Sequence, residues 1–281
     1  MTVIALAGLP GAPGVTTTAL ALLRTWPLEE GRRVVLAECD PDGGAILAGA
    51  LRGEATADRG LRNLTLSSRT HTQGLVDAFW PQLLVLDDGK GNGRNRLLLP
   101  GLTSPDQAPG LAPVWSQLAD LFAGIEKHGH DVLVDLGRSG AYGPSGILVL
   151  RADAVLLVVR GTLRGFHAAA TRIKTLRAQM DGESGRGSGA LGLLLISEGP
   201  YGPREAEAEL GVRVVATLPY RPDEAAVLSD GAPENAKFMR SKLMSAARDA
   251  TTPIRQHIAT RRARLTSPLK QRLMNGASGA S

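Results

Sequence analysis

The chain has 281 residues, 43% apolar and only 4% aromatic, which suits one large α/β domain with a core of aliphatic side chains. Its single cysteine, Cys39, excludes an internal disulfide and fits a reducing compartment. The formal charge of +5 is uneven, since from Lys237 onward ten Lys and Arg stand against one Asp, behind a mildly acidic body. Such asymmetry suits a polyanionic partner, nucleic acid or lipid headgroups, or simply a solvated basic tail. No signal-peptide pattern and no apolar run of roughly eighteen residues occurs, so a cytoplasmic protein is expected.

Thr2–Ala7 has strand character and leads into a glycine- and proline-rich loop, Gly8 to Gly14. Thr17–Glu30 follows with a helical pattern, Leu20, Leu23 and Trp26 on one face and Gly31 at the C-cap position. Further apolar runs predict strands at Arg33–Glu38, Asp131–Leu136, Ala154–Arg160, Leu191–Ser197 and Arg213–Ala216. Helical patterns lie between them at Val114–Lys127, Gly165–Met180 and Arg204–Leu210. This alternation predicts an α/β fold: a mostly parallel sheet with helices on both faces and ligand-binding loops along one edge. Asp87–Pro113 is rich in Gly, Pro and Asn around the short run Leu97–Leu99, either a hairpin with Leu83–Leu86 or a long functional loop. Asp181–Gly189 reads as a flexible connection. After Pro233 the pattern turns helical and basic, with a thin stripe of Ile254, Ile258 and Leu265, and disorder is expected over Ala277–Ser281.

Three stretches carry chemistry. The first is Gly8-Leu9-Pro10-Gly11-Ala12-Pro13-Gly14-Val15-Thr16-Thr17, between strand and helix as in a phosphate-binding P-loop. Small residues at Gly11, Ala12 and Gly14 let backbone amides approach an anion, and the Thr16 and Thr17 hydroxyls can meet a metal-bound phosphate or cap the helix. Pro10 and Pro13 lack amide donors, and Val15 stands where a P-loop lysine belongs. A tight strand-to-helix turn is the plain alternative. The second stretch is Glu38-Cys39-Asp40-Pro41-Asp42-Gly43, whose acids at i and i+2 are expected on one side of a strand end, holding a metal shell or a water, unless it is ordinary turn chemistry. The third is Asp131 to Gly140, an apolar strand ending in Asp135, the requirement for an acid that supports Mg²⁺. The five histidines show no metal-ligand spacing.

Together these residues resemble the MinD/ParA family of deviant Walker A P-loop ATPases. The family's Lys-Gly-Gly-x-Gly-Lys-Thr-Thr aligns with Pro10 to Thr17, its Asp-x-Asp-Pro-Gln with Glu38 to Asp42, and its Asp-bearing strand and loop with Asp135 to Gly140. Ala152 to Val158 and Leu218-Pro219-Tyr220-Arg221-Pro222-Asp223 resemble two later family segments, the second beside the base pocket. The resemblance spans about residues 1–235 and implies a P-loop NTPase-like domain there, with a basic helical tail at 236–281. It implies nucleotide contacts from Gly11, Ala12, Gly14, Val15, Thr16, Thr17 and Pro219, and Mg²⁺ held at Thr16 and Asp135 if a nucleotide binds.

The departures are as informative. Both signature lysines are replaced, by Pro10 and Val15, and no Asn occupies Leu195-Ile196-Ser197-Glu198, where the family reads the base. Loss of those cations predicts weak or absent ATP hydrolysis. Asp40 and Asp135 are the remaining candidate catalytic acids. Arg138 is a candidate replacement cation, or a surface ion-pair partner. The expected function is a degenerate positioning, partition or assembly factor acting with a protein partner or as a homodimer. One alternative is an active ATP-dependent switch using Arg138 or a partner's cation. Another is a nucleic-acid-binding module working through Arg255, Arg261, Arg262, Arg264, Lys270 and Arg272. The same basic tail on an anionic membrane surface is a variant, which would make the protein nucleoid- or membrane-associated.

Overall fold

A computed structural model describes residues 2–9, 14–55, 58–67, 72–86, 95–126, 128–182 and 185–265. Along the chain β1 (Val3–Ala7) leads to α1 (Val15–Thr25) and β2 (Arg33–Glu38), then to α2 (Leu61–Ser67) and α3 (Thr72–Phe79). β3 (Leu84–Val85), β4 (Arg96–Leu99), α4 (Val114–Glu126), β5 (His130–Asp135) and α5 (Ile147–Arg151) follow. The second half holds β6 (Ala154–Arg160), α6 (Leu163–Met180), β7 (Leu191–Ser197), α7 (Pro203–Leu210), β8 (Val214–Pro219), α8 (Pro222–Ser229) and α9 (Lys242–Leu265).

The eight strands form one sheet in the order β3-β4-β2-β5-β1-β6-β7-β8. Every pairing is parallel except the antiparallel β3–β4. In that exception the run Leu97–Leu99 pairs with Leu83–Leu86 as the hairpin reading expects, Leu84 opposite Leu98 and Val85 opposite Leu97, while residues 87–94 lie outside the described residues. β1 lies at the centre, and its chain leaves toward β2 on one side, whereas that of its neighbour β5 crosses to β6 on the other. Connections diverging from adjacent strands open a crevice at their carboxyl ends, the usual ligand position in such sheets.

Two cores follow from the period-2 alternation of the strands. Val3, Ala5, Val35, Val134 and Leu157 point to the face covered by α2 to α7, where Phe79, Phe122, Phe166 and Ile173 are buried. Ile4, Leu6, Leu36, Leu133, Leu156 and Val158 point to the face covered by α1, α8 and α9. α9 opens the segment set apart at 236, after an irregular stretch at 231–237, and it packs along β8 and α1. Leu243, Met244, Ala247, Ile254 and Ile258 are buried there, so Ile254 and Ile258 of the stripe are core, whereas Leu265 is exposed. Among the described residues no helix is long and apolar enough to cross a membrane.

α1 differs from its sequence expectation, beginning at Val15 and ending at Thr25 rather than running to Glu30. Pro27 disfavours helical backbone at the residue before it, and Trp26 has extended ψ of 129°. The Trp26 indole instead donates to Asp131 Oδ2 at 2.9 Å, a buried bond that ties the end of α1 to the start of β5.

Candidate functional site

The three chemical stretches converge at the crevice. Gly14, with φ of 114°, turns the chain into α1 and supplies no side-chain cap. Its carbonyl accepts from Thr18 N at 2.8 Å. The amides of the first turn therefore have no intrahelical acceptor and present the positive end of the helix dipole. A cavity of about 340 Å³ lies in front of them. Gly14, Val15, Thr16 and Thr17 line one wall, Asp40, Asp42 and Gly43 another, and Gly137 with Arg138 the third. Gly11 and Ala12, expected in the same cradle, and Pro10 and Pro13 lie outside the described residues.

Asp135 ends β5 and is completely buried. Its Oδ1 accepts from Gly137 N at 2.9 Å, and the Thr16 hydroxyl lies close enough to the same carboxyl group to favour its ionised form. Oδ2 is buried with no protein partner. Burial, with the nearby Glu38 charge second, pushes this carboxyl up to about 7. An orphaned carboxylate oxygen beside a threonine hydroxyl fits a Mg²⁺ ion, which takes one or two protein ligands and fills the rest of its shell with water and phosphate oxygens. No group of three or more His, Cys, Asp or Glu able to hold a metal exists among the described residues.

Glu38 and Asp40 do not share a role. β2 ends at Glu38, so Asp40 stands in the loop beyond the strand, and the charges of both act on Asp135. Glu38 is 1% exposed; its Oε1 accepts from Ala45 N at 2.6 Å and Ile46 N at 3.0 Å, and its Oε2 from Gly101 N at 2.9 Å. It is a tie between two loops, and burial raises its carboxyl despite those amides. Asp40 faces the cavity. Its Oδ1 accepts from Asp42 N at 2.9 Å, and burial, opposed in part by that amide and by Arg138, pushes its carboxyl up to about 6. Asp42 in turn accepts from Ser139 Oγ at 2.6 Å, which joins the loop after β2 to the loop after β5.

Val15 is 3% exposed, and its side chain belongs to the core beneath α1 as well as to the cavity wall. Arg138 is the one cation among the described residues lining the cavity, and it is exposed. Pro219 stands at the end of β8, beside Ser197 of β7, and does not line the cavity. β8 is three strands from β1, roughly 14 Å at a strand spacing of about 4.8 Å. Between them Arg160 pairs with Glu198 at 2.8 Å and stacks over Tyr220 at 5.6 Å. The stretch after β7 thus presents a charge pair where the sequence resemblance looks for an amide.

The basic residues of α9 are divided. Arg255 reaches Glu29 at 3.5 Å, and Arg262 reaches Asp153 at 2.9 Å. Arg261 is 7% exposed, donating to the backbone oxygens of Asp153 and Arg186. Arg264 is exposed, and Lys270 and Arg272 lie outside the described residues.

Solved structures share this fold. A ParA family ATPase from Chlorobium tepidum TLS superimposes with a TM-score of 0.67 at 15% identity, over 89% of this chain and 98% of that one. The chain has the ParA/MinD fold. Its eight-stranded sheet also matches the septum site-determining protein MinD complexed with Mg-ADP from Pyrococcus horikoshii OT3, TM-score 0.62 and 16% identity, over 92% and 98% of the two chains. The MinC:MinD cell division protein complex of Aquifex aeolicus gives a TM-score of 0.63 at 17% identity, covering 91% and 96%. No family model and no curated protein matches the sequence. The ParA/MinD fold therefore rests on shape, and the crevice at β1 and β5 is where this chain's own residues must be judged.

Proposed function

We propose that this ParA/MinD-fold chain is a nucleotide-binding positioning or partition factor that hydrolyses ATP weakly or not at all. The observation that carries the reading is Asp135 Oδ2, buried without a protein partner beside Thr16, itself a cavity-lining residue in the first turn of α1. The amides of Val15, Thr16 and Thr17 would hold phosphate oxygens through backbone alone. Thr16 and Asp135 would hold Mg²⁺, which when bound supplies charge neutralisation between the phosphates. Asp40 would orient a water in the same cavity. The chain lacks the P-loop lysine that clamps the β- and γ-phosphates, and Val15 directs its side chain into the core instead, so binding outlasts catalysis.

The neighbours of similar shape include a septum site-determining protein and a complex with a protein partner, which supports a localising role exerted through a partner or a second copy of the chain. A second reading, an active switch, draws on Arg138, which lines the cavity and could replace the missing cation. Nucleic-acid or membrane attachment through α9 has less support, because Arg255, Arg261 and Arg262 are engaged within the domain.

Calorimetric titration of the full chain with ATP, with and without Mg²⁺, tests the reading. Mg²⁺-dependent binding weakened at least about tenfold by Thr16→Ala is the expected result. Binding indifferent to both Mg²⁺ and Thr16→Ala removes the site.

A further inference from the structure

A second concave site lies at the opposite edge of the sheet, near the starts of β6 and β7. The seven residues of β7 separate the two edges by roughly 20 Å at about 3.3 Å per residue. The cavity has a volume of about 370 Å³ and is lined by Arg186, Arg213, His257, Arg261 and Arg264, with no acidic side chain among its described lining residues. These residues come from three places in the chain: the glycine-rich connection after α6, the turn before β8, and the last turns of α9.

The buried part of this cluster is braced. Arg261 donates to the carbonyl oxygen of Asp153 at 3.1 Å and to that of Arg186, which fixes the backbone carrying Arg186. Asp153 accepts from Arg186 at 3.2 Å and pairs with Arg262 at 2.9 Å, while its Oδ2 also accepts from Val3 N at 3.0 Å. One aspartate thus serves Arg186, Arg261 and Arg262. Arg213 and Arg264 have no carboxylate partner among the described residues, and they face the same space as His257. Bringing this many cations around one concavity is unfavourable until an anion enters, and guanidinium groups match phosphate oxygens in geometry as well as charge. Burial lowers the His257 imidazole, the Ala190 carbonyl 3.2 Å from its Nε2 opposes this, and Arg213, Arg261 and Arg264 lower it further, so a negative charge arriving beside it would raise it.

We propose that this cavity binds a small phosphate-bearing anion through Arg186, Arg213 and Arg264, with His257 beside it. The site is separate from the nucleotide crevice and goes beyond the function proposed for that crevice. A small ligand is favoured over a nucleic-acid backbone because Arg186, Arg213 and Arg264 line one concave volume together with the buried Arg261. The arginines directed along the helix surface, Arg255 and Arg262, are already matched by Glu29 and Asp153. The volume falls in the range of ordinary small-molecule pockets.

The test is calorimetric titration of the full chain with inorganic pyrophosphate in the absence of Mg²⁺, alongside NMR titration of the His257 ring signal. Three proteins are compared: wild type, Thr16→Ala, and the double variant Arg213→Gln/Arg264→Gln, whose two altered side chains are exposed. The expected result is saturable binding that raises the His257 titration midpoint. It weakens about tenfold or more in the double variant and is unchanged in Thr16→Ala. The proposal is overturned if pyrophosphate fails to saturate the protein by about 10 mM. It is equally overturned if binding is kept in the double variant, whatever Thr16→Ala does. Salt-dependent binding to duplex DNA or to phosphatidylserine vesicles that needs both arginines, with no pyrophosphate binding, also rejects a small ligand in favour of a macromolecular surface.

Discussion

Asp40 fills the space that a side chain on Gly137 would need: a Cβ built there would stand 1.6 Å from Asp40 Oδ2. Gly137 also has φ of 55°, a conformation that other residues enter with strain. Its amide donates to Asp135 and its carbonyl accepts from Gly8 N at 2.7 Å, so this one residue joins the ends of β1, β2 and β5. Gly137→Ala is predicted to lower unfolding free energy by roughly 1–3 kcal/mol and to displace Asp40. Urea denaturation reads the first effect and nucleotide titration the second.

The buried Asp135 gives a pH signature. Its carboxyl is raised to about 7 in the folded chain, against an ordinary value near 4 when unfolded. The folded protein therefore keeps a proton that the unfolded chain has released between those values, and stability falls as pH rises from about 4 to about 7. Asp135→Asn removes the penalty. In the absence of Mg²⁺ it should be more stable than wild type at pH 8 and no different at pH 3, the gain accumulating at about 1.4 kcal/mol for each pH step of one between the two values. Mg²⁺ should restore wild-type stability at pH 8 and leave Asp135→Asn unchanged. Thermal unfolding at the two pH values, with and without Mg²⁺, checks this.

Glu38 should behave as a structural acid. Glu38→Ala leaves the amides of Ala45, Ile46 and Gly101 without their acceptor in a buried place, a loss of about 1–3 kcal/mol for each group not reached by water. Hydrogen exchange at those three amides should accelerate, while exchange in β6 and β7 stays slow.

α9 is predicted to be part of the folding unit. Ile254 is fully buried against the sheet and α1, and Ile254→Ala should cost about 2–5 kcal/mol. Truncation before Lys237 should produce an unfolded or aggregating chain. A soluble truncated domain with unchanged melting temperature would contradict the packing of α9.

The extent to which these features are legible in the sequence depends on how local their causes are. β6 and β7 begin and end where their apolar runs do, because a buried parallel strand is a continuous signal. Gly14, Thr16, Asp40 and Arg138 line one cavity, with Asp135 buried beside Thr16, because each stands near a strand end or helix start, positions that the alternating pattern already defines. α2 and α3 leave no usable signal, since seven and eight residues give barely two turns of periodicity. The arginine cavity is hidden for another reason. Arg186 and Arg213 are single charges far from α9 in sequence, and only the sheet order β6-β7-β8 brings them to Arg264. The basic count at the end of the chain points to polyanions, but it does not show that Arg261 turns inward to hold backbone carbonyls.

The most direct measurement is single-turnover ATP hydrolysis with saturating Mg²⁺ on wild type, Asp135→Asn and Arg138→Ala, with binding measured on the same samples. A site that keeps its shape without its lysines predicts that wild type binds ATP and Asp135→Asn loses the Mg²⁺-dependent part. Turnover should stay near the uncatalysed background in all three proteins. Rapid hydrolysis by wild type that vanishes in Arg138→Ala would contradict it and establish Arg138 as the working cation of an active switch.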